Sequence, residues 1–159
     1  MERPTFWKLS LGVEFFNVSQ LLESIDDRLV YISIDAGAKG TRDTTQAEEF
    51  INAENGDYFY LTYGNYGIYL LGQFIGPPNY LNKHVVNKDA DWKEWVGWID
   101  RPFRIIARSR NISPYNGIDK WWAPNHMSTF IKVPRSELHQ FEELILEPYF
   151  GISLSNCGF

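Results

Sequence analysis

The sequence predicts an α+β domain: a strongly bent β-sheet of five or six strands, curled into a small, partly closed barrel and flanked by about three helices. Three observations lead there. Short strand-like runs and capped helix starts follow one another through residues 1–150 with no repeat, low-complexity stretch or Ser/Gly linker between them. The clearest segment, DYFYLTYGNYGIYLLGQFI over residues 57–75, is two aromatic and β-branched runs around a Gly/Asn turn, which makes a hairpin. Gly72 interrupts the second arm, where a bulge or a close backbone approach bends a sheet.

The elements follow in order. Residues 5–10 (TFWKLS) suit a first strand. Asn17 and Gln20 form a capping-box pattern ahead of Leu21, Leu22 and Ile25, which predicts a helix. Residues 29–34 (LVYISI) read as the second strand. After a Gly-rich loop over 35–44, Thr45 and Glu48 repeat the capping pattern for a short helix through about Ala53, stopped by Asn55-Gly56. Beyond the hairpin, GPPN at 76–79 opens a long polar loop to about Asp91. Residues 92–99 and 103–107 read as two strands separated by Asp100-Arg101-Pro102, and residues 108–126 as an irregular stretch. Residues 128–133 form a last strand, and Pro134 opens a helix with Leu138, Phe141, Leu144 and Ile145 on one face. Residues 151–159 read as a tail or the start of a linker.

A chain of 159 residues is long enough for one domain with a real core and short for two. Fifteen basic residues against 20 acidic ones give a net charge of −5, which excludes a general polyanion binder. No apolar run reaches the ~20 residues of a membrane span, the first ten residues lack a signal-peptide core, and Cys157 is the single cysteine. A cytoplasmic protein without membrane contact or disulfides is expected.

Catalytic patterns are missing. Neither a Gly-x-x-x-x-Gly-Lys-Ser/Thr phosphate loop nor a Gly-x-Ser-x-Gly elbow occurs, and His84, His126 and His139 have no metal-ligand spacing. No catalytic residue, metal or cofactor is expected. The positive signal is aromatic content, 16% of the chain. Phe6, Phe74, Phe103 and Phe141 read as packing, and alternation turns either Tyr58 and Tyr60 or Phe59 inward. Trp92, Trp95, Trp98, Trp121 and Trp122 fall at strand ends and in loops among polar neighbours. There a ring either covers a barrel mouth or stacks on a base, the latter worth about 1–3 kcal/mol each.

The order of segments resembles the EVE/YTH group of PUA-like domains, in particular those at the N-terminus of McrB-type modification-dependent restriction GTPases. The resemblance rests on Phe6-Trp7-Lys8-Leu9, Phe16-Asn17-Val18-Ser19, Gly56-Asp57 ahead of the third strand, and GIYLLGQF from Gly67, and it covers most of residues 5–146. It implies a barrel that holds one modified base, flipped from its helix, in an aromatic cage. It implies base contacts from Asn17, at the helix start, from Tyr31, near the place of a cage tryptophan, and from Trp92, after the long loop; Phe16, Tyr63 and Trp122 are further candidates. Asn17 has the helix cap as its other reading. Lys39, Arg42, Arg108, Arg110 and Lys120 lie in loops that would meet phosphates.

The expected function is recognition of a methylated base in DNA, N6-methyladenine ahead of 5-methylcytosine, targeting a restriction complex whose GTPase and McrC-like nuclease activities lie in other domains or subunits. A modified-RNA reader, a protein-interaction module built on the tryptophans, and a small enzyme on the same barrel are the rival readings.

Overall fold

The computed structural model describes residues 4–11, 17–33, 36–38, 44–80 and 98–155. Among these, seven strands form one curled sheet in the order β2-β6-β4-β3-β1-β7, with β5 added alongside β6. The strands are β1 (Phe6–Ser10), β2 (Leu29–Ser33), β3 (Tyr58–Tyr63), β4 (Gly67–Phe74), β5 (Asn79–Tyr80), β6 (Trp98–Arg108) and β7 (Phe130–Lys132). Helices α1 (Val18–Asp27) and α2 (Gln46–Asn52) lie within the crossover that lets β1 run parallel to β3. The expected α+β fold with a bent, barrel-like sheet is the observed one.

Local chemistry accounts for the helix ends. Asn17 Oδ1 accepts from Gln20 N (2.8 Å) and Gln20 Oε1 accepts from Asn17 N (2.9 Å), the reciprocal box expected from the sequence. Thr45 Oγ1 accepts from Glu48 N (3.1 Å), and α2 stops at Asn52, three residues before the Asn55-Gly56 turn in which Gly56 adopts φ 98°. At the other end of the chain, a 3-10 turn (Arg135–Glu137), α3 (Leu138–Phe141) and a wider π-type continuation (Glu142–Phe150) follow one another. The widening changes which side chains face inward. Leu138, Phe141 and Ile145 are buried as expected, but Leu146 is buried in place of Leu144.

The sheet bends at two identifiable points. Pairing of β4 with β6 slips between Leu71 and Gly72, and a Cβ on Gly72 would stand 2.6 Å from the Phe59 ring and 3.0 Å from that of Phe103. Gly72 is thus both a bulge and a close approach. The second point corrects the expectation of two strands separated at residues 100–102. Residues 98–108 are one strand whose first half, to Pro102, pairs with β2 and whose second half, from Phe103, pairs with β4. Proline is accommodated because it sits where the ladder changes partner, the corner of the half-barrel.

Alternation splits the aromatics between two cores rather than between core and solvent. Inside the curl, under α1 and α2, lie Trp7, Leu9, Phe50, Phe59, Phe74 and Phe130. On the outer face Phe6, Tyr60, Ile68, Trp122, Phe141 and Ile145 pack beneath the irregular stretch and the C-terminal helix. Both Phe59 and Tyr60 are therefore buried, which the expectation of one inward set did not provide for. The segment expected as a tail is held to this second core as far as Leu154: Ile152 and Leu154 pack on it, and Leu154 N donates to Glu142 Oε2 (2.5 Å).

Candidate ligand-binding site

The site begins with the way α1 hands over to β2. Arg28 ends the helix in the left-handed region (φ 59°), its N–H donating to Ile25 O (3.1 Å) and its guanidinium to the same carbonyl. Ser24 Oγ donates to Leu29 O, pinning the first residue of β2. This junction sets the register that places Tyr31 opposite Asp100 and Ser33 opposite Trp98. On the other side of β6, Asn79 pairs with Asp100. Residues two apart on a strand share a face, so Tyr31, Ser33, Trp98, Asp100 and Asn79 stand together on one face of the β2-β6-β5 ribbon.

The group grades from buried to exposed. Tyr31 is 3% and Asp100 6% exposed, Ser33 and Trp98 are partly exposed, and Asn79 is exposed. Asn79 Nδ2 donates to Asp100 Oδ1 at 3.2 Å. Burial pushes the Tyr31 hydroxyl well above the ordinary tyrosine range, and the charges of Asp100, Asp27 and Glu23 push it further the same way. The hydroxyl therefore stays protonated, in negative surroundings that favour a hydrogen-bond donor over an anion.

The neighbouring Arg101 faces the other way and is a structural clip. Its guanidinium donates to the carbonyls of Gly76 (3.1 Å), Phe50 (2.8 Å) and Ala53 (2.5 Å) and to Asn55 Oδ1 (2.9 Å), and lies 4.4 Å from the centre of the Phe74 ring. A buried cation on the C-terminal carbonyls of α2 fixes that helix against the corner of the barrel.

Of the base-contact candidates, Tyr31 belongs to this group and is buried within it. Asn17 is exposed at the start of α1; its cap engages Oδ1 and the main-chain N–H and does not use Nδ2. Tyr63 lies apart from this group, and Trp122 is corrected. Tyr63 pairs with Gly67 at the hairpin end of the sheet, whereas Asp100 lies beyond the Phe74–Phe103 pair at the opposite end of the β4–β6 ladder. Trp122 is 1% exposed on the outer-face core, edge-on to Phe141 (5.5 Å) with its indole N–H on Glu137 (3.0 Å), so no ring face is open for stacking. Phe16 and Trp92 lie outside the described residues.

The phosphate candidates do not converge on the group either. Arg108 closes β6 opposite Leu70. Arg110 N–H donates to Tyr149 O (2.7 Å), and its guanidinium lies against Gly151, where a Cβ would come within 2.0 Å of it. Lys120 pairs with Glu137 (3.2 Å) on the outer face. Lys39 and Arg42 lie outside the described residues.

A second polar group also sits on the outer face. Lys8 is buried there, its ammonium donating to His126 O (2.7 Å) and Ser128 Oγ (2.8 Å), while Ser128 Oγ donates to Trp121 O (2.6 Å). These bonds hold a loop on which His126 meets Asp119 (3.0 Å) and the exposed Trp121 ring (4.1 Å). Among the described residues, no three His, Cys, Asp or Glu side chains come together as a metal-binding set, and no helix is long and apolar enough to cross a membrane.

Sequence reasoning missed Ser33, Asn79 and Asp100. Trp98 is among the tryptophans at strand ends, but the sequence puts Asp100 in a break between strands. The only signal for it is the pairing of β6 with β2 and β5, which is not local in sequence.

The fold is similar to those of three solved structures. A hypothetical protein of Leishmania major superposes with a TM-score of 0.51 at 12% identity, over 88% of this chain and 93% of that one. A Pseudomonas syringae protein gives 0.52 at 13% identity, over 87% and 98%. A Pseudomonas putida protein gives 0.50 at 8% identity, over 87% and 98%. At these identities the likeness concerns the fold. No family model and no curated protein matches the chain.

Proposed function

We propose that this domain reads a methylated base in DNA, N6-methyladenine ahead of 5-methylcytosine, and so targets a McrBC-type restriction complex formed with other domains or subunits. The observation that supports the reading best is the single face shared by Trp98, Ser33, Tyr31, Asp100 and Asn79. A base drawn out of its helix needs a ring to replace the lost stacking and polar groups to read its edge. The partly exposed Trp98 offers the ring, and the Tyr31 hydroxyl, Ser33, Asp100 and Asn79 offer donors and acceptors beside it. The Nδ2 of Asn17, left over from its cap, is a further edge contact in this reading. With a net charge of −5, phosphate attraction contributes little, and useful affinity comes from this face and from several copies acting together.

The test is fluorescence-polarisation binding at low salt to duplexes of one sequence carrying adenine, N6-methyladenine or 5-methylcytosine, with the ribo-oligonucleotide of that sequence alongside. Selective binding of the N6-methyladenine duplex, reduced at least tenfold in Trp98→Ala, is expected. Equal binding to all duplexes, or preference for the ribo-oligonucleotide, rules this reading out.

A further inference from the structure

We infer that the loop over residues 115–128 carries a second binding site, where the Trp121 ring and the Asp119 carboxylate receive an arginine side chain of a protein partner. This site is independent of the methylated-base reading.

Three observations carry it. The first is an apolar surface left open on one loop. Trp121 is 46% exposed, although the adjoining Trp122 is 1% exposed, and Ile118 and Met127 of the same loop are exposed as well. Large side chains grouped in water mark the places where a protein meets a partner, and tryptophan is prominent among the residues that carry such contacts.

The second is how firmly the loop is held from beneath. The buried Lys8 ammonium donates to His126 O and to Ser128 Oγ, and Ser128 Oγ donates to Trp121 O. The Tyr60 hydroxyl donates to Trp122 O, the Tyr115 hydroxyl to Ile118 O (2.9 Å), and Asn125 Nδ2 to Gly117 O (3.1 Å). These bonds fix the main chain of the loop, so its exposed side chains are presented on a preformed frame. Little ordering remains to oppose binding.

The third is charge. A carboxylate only accepts hydrogen bonds, so the 3.0 Å contact with Asp119 Oδ1 places a proton on His126 Nδ1. That bond orients the imidazole, which meets the Trp121 ring edge-on, with centres 4.1 Å apart. Aromatic ring and carboxylate thus flank one imidazole. The Asp119 side chain is 62% exposed, and its two oxygens have room for about four hydrogen bonds. Lys120, the cation next in sequence, pairs with Glu137 (3.2 Å) instead. An open carboxylate beside an open indole attracts a cation and repels the phosphates of nucleic acid. Guanidinium fits it better than ammonium, because a planar group can lie on the ring while its N–H fork reaches the carboxylate. Ile118 and Met127 meet the apolar residues beside that arginine.

The experiment titrates acetyl-Leu-Arg-Leu-amide into the whole chain and follows the NMR signals of the Trp121 indole N–H and the His126 ring. The same peptide with lysine, or with citrulline, which has nearly the shape of arginine without its charge, is titrated alongside. The arginine peptide should move both signals and saturate, with the citrulline peptide at least roughly tenfold weaker and the lysine peptide between them. Trp121→Ala and Asp119→Asn should each weaken the arginine peptide roughly tenfold at an unchanged melting temperature, since the loop is held through its main chain. Equal affinity for the arginine and citrulline peptides overturns the inference, as does the absence of any shift up to about 10 mM peptide. Signals that move only with a DNA duplex, or on concentrating the protein alone, assign the surface to nucleic acid or to a second copy of the chain and overturn it too. The wild-type titrations need no variant, and loss of methylated-DNA recognition leaves them unaffected.

Discussion

The side chain of Gln46 accepts the backbone N–H of Phe130 at 3.0 Å, joining the first residue of α2 to the edge strand β7 across 84 positions of sequence. The same Oε1 accepts from Thr129 N (2.6 Å), and Nε2 donates to Gly37 O (2.9 Å) just beyond the other edge strand, β2. One buried amide thus ties the loop after β2 to the start of the edge strand β7, satisfying backbone N–H groups of Thr129 and Phe130.

Removing that seam should be costly. Gln46→Ala leaves the main-chain N–H groups of Thr129 and Phe130 without their partner, while Gly37 O keeps the main-chain N–H of residue 46, and about 2–4 kcal/mol of stability should be lost in denaturant unfolding. A loss below about 1 kcal/mol shows that water replaces the amide at no cost.

Arg101 should be harder to replace. Arg101→Met keeps much of the side-chain volume against Phe74 but abandons the oxygens of Gly76, Phe50, Ala53 and Asn55. A destabilisation of about 3–5 kcal/mol is expected, and Arg101→Lys should recover only part of it, since a point charge cannot match a planar fork. Full recovery by lysine would mean that charge alone, and not geometry, matters.

Gly72→Ala tests the bulge. The added methyl meets the Phe59 and Phe103 rings at 2.6 and 3.0 Å, so a loss of about 1–3 kcal/mol should appear as a lower melting temperature.

Alkaline pH should unfold the protein through its tyrosines. Burial raises the hydroxyls of Tyr31, Tyr60, Tyr115 and Tyr149 above their ordinary value of 10.0. Above about pH 10 the unfolded chain loses these protons while the folded one retains them. The stabilisation is therefore complete below pH 10 and falls as pH rises beyond it. Unfolding free energies measured between pH 8 and 11 should decline in the upper part of that range. Tyr31→Phe should flatten the decline; an unchanged slope rules out Tyr31 as a contributor.

Asn17→Ser separates capping from binding. Serine is as good an N-cap, so stability should hold within about 0.5 kcal/mol. Binding of the N6-methyladenine duplex should weaken, because serine has no amide donor. Unchanged affinity would leave Asn17 as a cap alone.

Much of this architecture was legible in the sequence because its causes are local. The Asn17–Gln20 box, the Thr45 cap, the hairpin and the bulge at Gly72 each depend on residues a few positions apart, and each appears where the residues indicate. The helix cap was read correctly at Asn17 for the same reason. What only the tertiary structure decided depends on pairing between distant segments. Trp122 resembles an exposed loop tryptophan until the C-terminal helix is laid over it. Asp100 resembles a turn residue until β6 is seen to pair on both sides, and Tyr63 matches a cage aromatic until the ladder places it at the other end of the sheet. Residue type and spacing determine what a segment can form by itself. Which faces are covered, and which side chains meet, is set by long-range packing, because burial belongs to the pair of surfaces and not to either strand alone.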